Sequence, residues 1–123
     1  MSSKKLMVVD DEESIRELVK AIFENEGFKV IVASSGLECL EELKKERPDL
    51  ILLDMMMPKM SGRVTLEKIR ADPKTKDIKV AFLTVARFSE VGLESLKKMN
   101  ISDYITKPFD NDELLKRVKK ILE

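Results

Sequence analysis

The sequence contains no histidine, no tryptophan and no glutamine, and it has a single cysteine, Cys39. Without histidine the chain has no Ser-His-Asp or Cys-His catalytic machinery and no histidine-built zinc site. A single cysteine excludes an internal disulfide and fits a reducing, cytoplasmic location. Because Cys39 falls at an apolar position of a predicted helix, we predict that it is an inert core side chain.

Long apolar runs and an excess of charge of one sign are also missing. No segment approaches the length that spans a bilayer, and the first residues lack the hydrophobic region of a signal peptide. Lys plus Arg and Asp plus Glu number 23 each, so no overall field favours nucleic acid or an anionic membrane surface. The 123 residues, of which 43% are hydrophobic, predict one compact domain over residues 1–123 without a membrane or a direct nucleic-acid partner.

Short apolar runs alternate with amphipathic stretches along the whole chain. Residues 6–9, 50–53 and 80–83 have the length and composition of buried strands, and residues 28–33 and 101–106 complete a set of five. Apolar residues recur at helical spacing after each of these runs. Alternation of this kind predicts right-handed crossovers and an α/β fold, in which helices cover both faces of a doubly wound parallel sheet.

Several residues indicate where the helices begin and end. Ser35 and Asp110 are each followed three residues later by glutamate, which is the pattern of a capping box at a helix start. Gly27 and Asn100 tolerate the left-handed backbone that ends many helices.

Charged and hydroxyl side chains stand at the carboxyl ends of four predicted strands. Asp10 and Asp11 follow the first strand and Asp54 the third, while Thr84 ends the fourth and Lys107 follows the fifth. The carboxyl ends of parallel strands share one edge of the sheet, which is where ligands collect in open α/β folds. Three carboxylates repel one another unless a cation lies between them, and Mg²⁺ prefers such oxygen ligands. One Mg²⁺ and Lys107 would neutralise the three aspartates.

This set of residues suits phosphoryl transfer. A carboxylate such as Asp54 is a competent nucleophile towards phosphorus, and positioning and electrostatics supply most of the catalysis. Each signal alone is weak, because an Asp-Asp pair before a helix more often serves as a capping device. Only the joint pattern on one edge favours a site.

These motifs together resemble the receiver domain of two-component response regulators over the full length of the chain. The resemblance implies a flavodoxin-like (βα)5 fold with strand order 2-1-3-4-5. It implies that Asp54 is the phosphoacceptor and that Mg²⁺, for which Mn²⁺ could substitute, is held by Asp10, Asp11, Asp54 and the backbone carbonyl of Met56. The resemblance also implies that Asp11 is the more direct Mg²⁺ ligand of the acidic pair.

The resemblance also implies a conformational switch. Thr84 and Tyr104 match the switch hydroxyl and the switch aromatic residue, and Lys107 precedes Pro108 through a peptide bond that is usually cis in the family. The implied phosphodonor is a sensor histidine kinase or a histidine phosphotransfer protein. The fourth helix, fifth strand and fifth helix would form the signalling face of a monomer or a weak phosphorylation-dependent dimer, with an unknown downstream protein.

Three residues depart from the usual pattern. Val85 is larger than the residue common after the switch hydroxyl and could narrow access to Asp54. Met56 and Ala86 cannot orient an attacking water, which predicts slow loss of the phosphoryl group.

Two other functions compete with the phosphoacceptor switch. A Mg²⁺-dependent aspartyl phosphatase or phosphotransferase would need a second aspartate two residues after the nucleophile, where this chain has Met56. A phosphorylation-independent pseudo-receiver is disfavoured because the acidic pair, acceptor, hydroxyl and lysine are all present. We therefore predict a signalling switch and not a turnover enzyme. The surrounding methionines could form a partner-binding patch or pack beneath the loop, and the sequence leaves this open.

Overall fold

In the computed structural model, which describes residues 4–85 and 90–123, five parallel strands form one sheet. The strands are β1 (Lys5–Val9), β2 (Lys29–Ala33), β3 (Leu50–Leu53), β4 (Lys79–Thr84) and β5 (Asp103–Thr106). Their order is β2-β1-β3-β4-β5, and every neighbouring pair is parallel. The predicted flavodoxin-like sheet and its strand order are therefore confirmed.

Helices follow the strands and cover both faces of the sheet. They are α1 (Glu13–Glu24), α2 (Gly36–Leu43), α3 (Gly62–Ala71), α4 (Glu90–Lys97) and α5 (Asn111–Ile121). One buried cluster joins α1 and α5 to the sheet, and a second cluster joins α2 and α3 to the opposite face. No helix in the described ranges is long and apolar enough to cross a membrane.

The central strands are buried on both faces, as their unbroken apolar sequence predicts. Every residue of β3 is fully buried, and neighbouring positions alternate between the two clusters because successive side chains of a strand point to opposite faces. Ile51 and Leu53 thus pack against the α2 and α3 layer, whereas Leu50 and Leu52 pack against the α1 and α5 layer. Both faces of β3 are therefore part of the core.

The predicted starts of two strands were wrong: β5 begins at Asp103 and not at residue 101, and the end of α1 shows why β2 also begins late. Gly27 has a φ of 88°, and its N–H donates to the Glu24 carbonyl at 3.0 Å while the Phe28 N–H donates to the Phe23 carbonyl at 3.0 Å. These two bonds form the Schellman motif that closes a helix. Because Phe28 closes the helix and its ring lies 5.2 Å from that of Phe23, β2 begins one residue later than predicted.

The other predicted caps are largely confirmed. Asn100 has a φ of 61°, and the Asp110 carboxylate accepts a hydrogen bond from the Glu113 N–H at 3.0 Å. Ser35 caps α2 in the same way. Its predicted box is only half formed, because the Glu38 carboxylate turns to the N–H and hydroxyl of Ser34.

Arg70, at the end of α3, makes a set of contacts that the sequence did not predict. Its guanidinium donates to the carbonyls of Met99 at 2.8 Å, Lys76 at 2.9 Å, Ile78 at 2.7 Å and Asn100 at 3.2 Å. These carbonyls lie in the segment before β4 and in the turn after α4. One side chain therefore joins three segments of the fold.

We expect Arg70→Met to lower the free energy of unfolding by about 2 kcal/mol, because hydrogen bonds to a charged group contribute roughly 1.5–3 kcal/mol and the freed carbonyls recover part of this from water. Urea unfolding followed by circular dichroism measures the change. Lys68→Met is the matched control, since Lys68 is an exposed cation of the same helix. Equal losses in the two variants would contradict this account of Arg70.

Cys39 is fully buried, with its sulfur 3.8 Å from the sulfur of Met7, and burial raises the pKa of its thiol to about 12. The raised pKa keeps the thiol protonated at every pH well below that value, and the thiolate is the reactive form. We therefore expect no reaction with a disulfide reagent at pH 8 in the native protein and complete reaction in urea. Rapid labelling of the native protein would show that Cys39 is accessible.

Candidate functional site

Two aspartates leave the centre of the sheet side by side. Val9 is aligned with Leu53 at the ends of β1 and β3, so Asp10 and Asp54 are the first residues beyond these strands. Their backbones remain tied to the sheet, because the Asp54 N–H donates to the Val9 carbonyl at 2.9 Å and the Asp10 N–H donates to the Ala33 carbonyl at 3.1 Å. Only 1% of Asp10 and 4% of Asp54 is exposed.

Asp11 completes a cluster of carboxylates with these two residues. One oxygen of each of Asp10, Asp11 and Asp54 lies within 4.8 Å of the others. Asp11 is exposed, whereas the other two are buried. Three carboxylates that converge, with one of them open to solvent, offer the oxygen ligands that Mg²⁺ prefers while leaving room for its waters. The donor set therefore fits this metal.

Lys107 follows β5, the strand at the edge of the sheet, and its positive charge balances these carboxylates. Its ammonium lies 2.6 Å from an oxygen of Asp10 and 3.5 Å from one of Asp54, and 7% of its side chain is exposed. The backbone positions it, since its N–H donates to the Thr84 carbonyl at 2.9 Å. The peptide bond to Pro108 is cis.

Burial and pairing act in opposite directions on the two charged partners. Burial raises the pKa of Asp10, and the hydrogen bonds from Lys107 and from the Glu12 N–H offset part of this effect. Burial would lower the pKa of Lys107, but its hydrogen bond to Asp10 and the charges of Asp10, Asp54 and Glu12 outweigh burial and raise that pKa. Lys107 is therefore a stable ammonium at neutral pH.

The residues after Asp54 divide between the core and the surface. The Met56 N–H donates to an oxygen of Asp54 at 3.1 Å, and 62% of Met56 is exposed. Met55 and Met57 are buried in the cluster beneath α2 and α3. Packing therefore accounts for two of these methionines, and Met56 is available at the surface.

Gly62 holds the segment after Asp54 against the start of α3. Its N–H donates to the Met55 carbonyl at 2.9 Å, and a Cβ at this position would overlap the Asp54 backbone and lie 2.7 Å from the Met55 Cα. Gly62 is the first residue of α3, which the Ser61 hydroxyl caps by accepting a hydrogen bond from the Val64 N–H at 3.2 Å. Serine is a preferred capping residue and was the available signal.

The two candidate switch residues lie on neighbouring strands. Thr84 is fully buried at the end of β4, and Tyr104 in β5 is aligned with Phe82, two residues before Thr84. Tyr104 packs against the same buried cluster as Phe82. Val85 is 60% exposed. Ala86, which the sequence analysis also considered, lies outside the described residues.

The family model of the response regulator receiver domain matches residues 6–119. The chain belongs to this family. It is therefore a receiver domain of two-component response regulators, as its motifs predicted.

Curated relatives of the receiver domain include both long and short proteins. This chain is 41% identical over 121 residues to the alkaline phosphatase synthesis transcriptional regulatory protein PhoP of Bacillus subtilis, and the match covers 98% of this chain and 49% of that protein. It is 35% identical over 123 residues to sporulation initiation phosphotransferase F of the same organism, covering 99% of this chain and 96% of that protein. The chain thus spans about half of the first relative and nearly all of the second.

Solved structures show the same fold. The chemotaxis protein CheY4 of Vibrio cholerae matches with a TM-score of 0.90 at 29% identity, covering 98% of this chain and 99% of that one. The N-terminal domain of a response regulator receiver protein from Methanoculleus marisnigri matches with a TM-score of 0.82 at 39% identity, covering 98% of each chain.

Sequence reasoning missed two residues beside the acidic cluster of this receiver domain. The Glu12 carboxylate lies 4.0 Å from the Lys107 ammonium, and the Arg16 guanidinium donates to the Asp10 carbonyl at 2.7 Å. Both lie at the start of α1, where charged residues are common on a solvated helix face. Nothing in their spacing distinguished them from such residues.

The contact between Gly62 and the Asp54 segment predicts a steric cost for Gly62→Ala. We expect the free energy of unfolding to fall by about 1–3 kcal/mol, as for other overpacked sites, because the added methyl group meets backbone and not a flexible side chain. Gly27→Asn is the matched control, since an added Cβ there meets nothing within 4 Å and asparagine is the side chain that best tolerates positive φ. Chemical denaturation that found Gly62→Ala as stable as the control would refute this steric account.

Proposed function

We propose that this receiver domain is a phosphoacceptor switch in which Asp54 accepts a phosphoryl group in a Mg²⁺-dependent reaction. The observation that carries the proposal is the placement of Asp54, a nearly buried carboxylate beside both the acidic pair and the Lys107 ammonium. An isolated buried carboxylate would be costly, and this one is held by backbone bonds beside both a cation and a metal-type donor set. That arrangement suits a nucleophile which must approach an anionic phosphoryl group.

In the proposed reaction an oxygen of Asp54 attacks phosphorus and an acyl phosphate forms. With a phosphohistidine donor the P–N bond breaks, and the imidazole leaves with its electron pair and takes up a proton. Asp10, Asp11, Asp54 and the backbone carbonyl of Met56 would hold the metal. Bound Mg²⁺ would supply positive charge to the phosphoryl oxygens, and Mn²⁺ accepts the same oxygen ligands.

Lys107 and Thr84 are proposed to stabilise the product. The Lys107 ammonium is already 3.5 Å from an Asp54 oxygen and remains protonated because its pKa is raised. It can therefore pair with a phosphoryl oxygen without a proton transfer. The Thr84 hydroxyl would donate to another oxygen, and Tyr104 on the neighbouring strand would move with it. Such a two-state change would bias the surface formed by α4, β5 and α5.

We propose that one protein supplies the phosphoryl group and that another protein responds to the phosphorylated domain. A sensor histidine kinase or a histidine phosphotransfer protein would supply the phosphoryl group in the cytoplasm, a reducing compartment that suits the free Cys39. The downstream partner would dock on the α4, β5 and α5 surface of a monomer or weak dimer. No direct nucleic-acid contact is part of this proposal.

We further propose that the domain does not turn over as a phosphatase. Met56 projects into solvent beside Asp54 and carries no group that could act as acid or base or orient water. The acyl phosphate should therefore persist well beyond seconds. Release of inorganic phosphate over many cycles from a small phosphodonor would favour the enzymatic alternative.

The direct experiment is incubation with acetyl phosphate, with and without Mg²⁺, followed by intact-mass measurement. We expect one phosphoryl adduct that requires Mg²⁺ and is absent from Asp54→Ala, because that variant lacks the nucleophile. Asp112→Ala is the matched control, since Asp112 is exposed in the first turn of α5. It should label like the unmodified protein.

Two outcomes would contradict the proposal. An adduct of equal yield on Asp54→Ala would place the modification elsewhere. A folded protein that binds no Mg²⁺ and forms no adduct would instead be a phosphorylation-independent interaction domain.

A further inference from the structure

Asp10 and Asp11 differ sharply in how the protein holds them. Every polar group of Asp10 is engaged: its N–H with Ala33, its carbonyl with Arg16, and its two carboxylate oxygens with the Glu12 N–H and the Lys107 ammonium. Asp11 is exposed, and its carboxylate has no hydrogen bond or ion pair among the described residues. The position of Asp11 is therefore set through its backbone.

Arg16 controls the peptide group that precedes Asp11. Its Nη1 donates to the Asp10 carbonyl at 2.7 Å, and this bond is partly buried. That carbonyl and the Asp11 N–H belong to one planar peptide unit, so fixing the oxygen also fixes the direction in which the chain enters Asp11. The α1 backbone carries Arg16 to this point, since the Arg16 N–H donates to the Glu12 carbonyl at 3.2 Å.

We propose that Arg16 is a positioning residue for the metal site, which orients Asp11 by holding the Asp10 carbonyl. This inference rests on the proposed function, in which Asp10, Asp11 and Asp54 bind Mg²⁺. Asp10 and Asp54 are buried and tied to the sheet, whereas Asp11 is the exposed member of the cluster. Loss of the Arg16 bond would leave the Asp10 carbonyl without its side-chain partner and the peptide that leads into Asp11 freer to rotate, and ordering it would then oppose metal binding.

The positive charge of Arg16 would by itself weaken Mg²⁺ binding, whereas its hydrogen bond to the Asp10 carbonyl would strengthen it. A cation close to the cluster repels Mg²⁺, so its removal through a purely electrostatic effect would tighten metal binding. Removal of a positioning hydrogen bond should weaken binding instead. The sign of the change therefore distinguishes the two roles.

The test is calorimetric titration of Mg²⁺ into the unmodified protein and three variants. We expect Arg16→Met to raise the dissociation constant about 10-fold, at the lower end of the effect of residues that orient metal ligands. Arg16→Lys keeps the charge but lacks the planar fork of donors, and it should also weaken binding. Lys20→Met is the matched control, because Lys20 is an exposed cation one turn further along α1. It should leave the dissociation constant unchanged or slightly lower.

Phosphorylation by acetyl phosphate gives a second readout. With Arg16→Met the rate at low Mg²⁺ should fall about 10-fold, whereas the rate at saturating Mg²⁺ should approach that of the unmodified protein. A general loss of structure would instead lower the rate at all Mg²⁺ concentrations. Thermal unfolding in the presence of chelator shows whether each variant is folded. If Arg16→Met is not folded, the test rests on Arg16→Lys.

An unchanged or lower dissociation constant in folded Arg16→Met or Arg16→Lys would overturn the inference while leaving the proposed function intact. Absence of Mg²⁺ binding to the unmodified protein would overturn both.

Discussion

The ion pair between Lys107 and Asp10 is the interaction on which the site depends. Two buried carboxylates at the ends of adjacent central strands would repel each other, and burial raises the pKa of Asp10. Lys107 lies within 3.5 Å of both Asp10 and Asp54, so one ammonium compensates two aspartates. Because Lys107 follows β5 and the aspartates follow β1 and β3, this balance exists only when the whole sheet is assembled.

The packing around the site holds the backbone of the two buried aspartates in place. The strands that carry the aspartates are buried on both faces, and backbone bonds to neighbouring strands hold the main chain of Asp10 and Asp54. Gly62 then brings α3 directly onto the backbone after Asp54. The charged groups therefore stand on an apolar scaffold, and nearby N–H groups and the Lys107 ammonium orient their carboxylate oxygens.

The main features of the fold follow from sequence patterns because the patterns have a direct physical cause. The apolar runs before Asp10 and Asp54 have the length and composition of strands covered on both sides, and parallel strands bring their carboxyl ends together. The meeting of Asp10, Asp11, Asp54 and Lys107 at one edge was therefore predictable. Their chemical roles follow from the resemblance to the family and stay predictions.

Features built from side chains that bind backbone carbonyls were not predictable. Arg16 and Arg70 both donate to carbonyl oxygens, which every residue has, so no sequence pattern marks their partners. The boundary at Phe28 was missed for a related reason, because its N–H is used by the end of α1. The sequence also contained no sign that Gly62 must be glycine, because that need comes from the close approach of the Asp54 backbone in the folded chain.

The contacts of Arg70 have a mechanical consequence for α4. Its guanidinium grips the carbonyls of Met99 and Asn100 just beyond the last turn of that helix. We therefore expect any displacement of α4 to be smallest at this tethered end. The eight residues Glu90–Lys97 make an arm of about 12 Å at 1.5 Å per residue. A small rotation about the tethered end would therefore displace Glu90, the first residue of α4, the most.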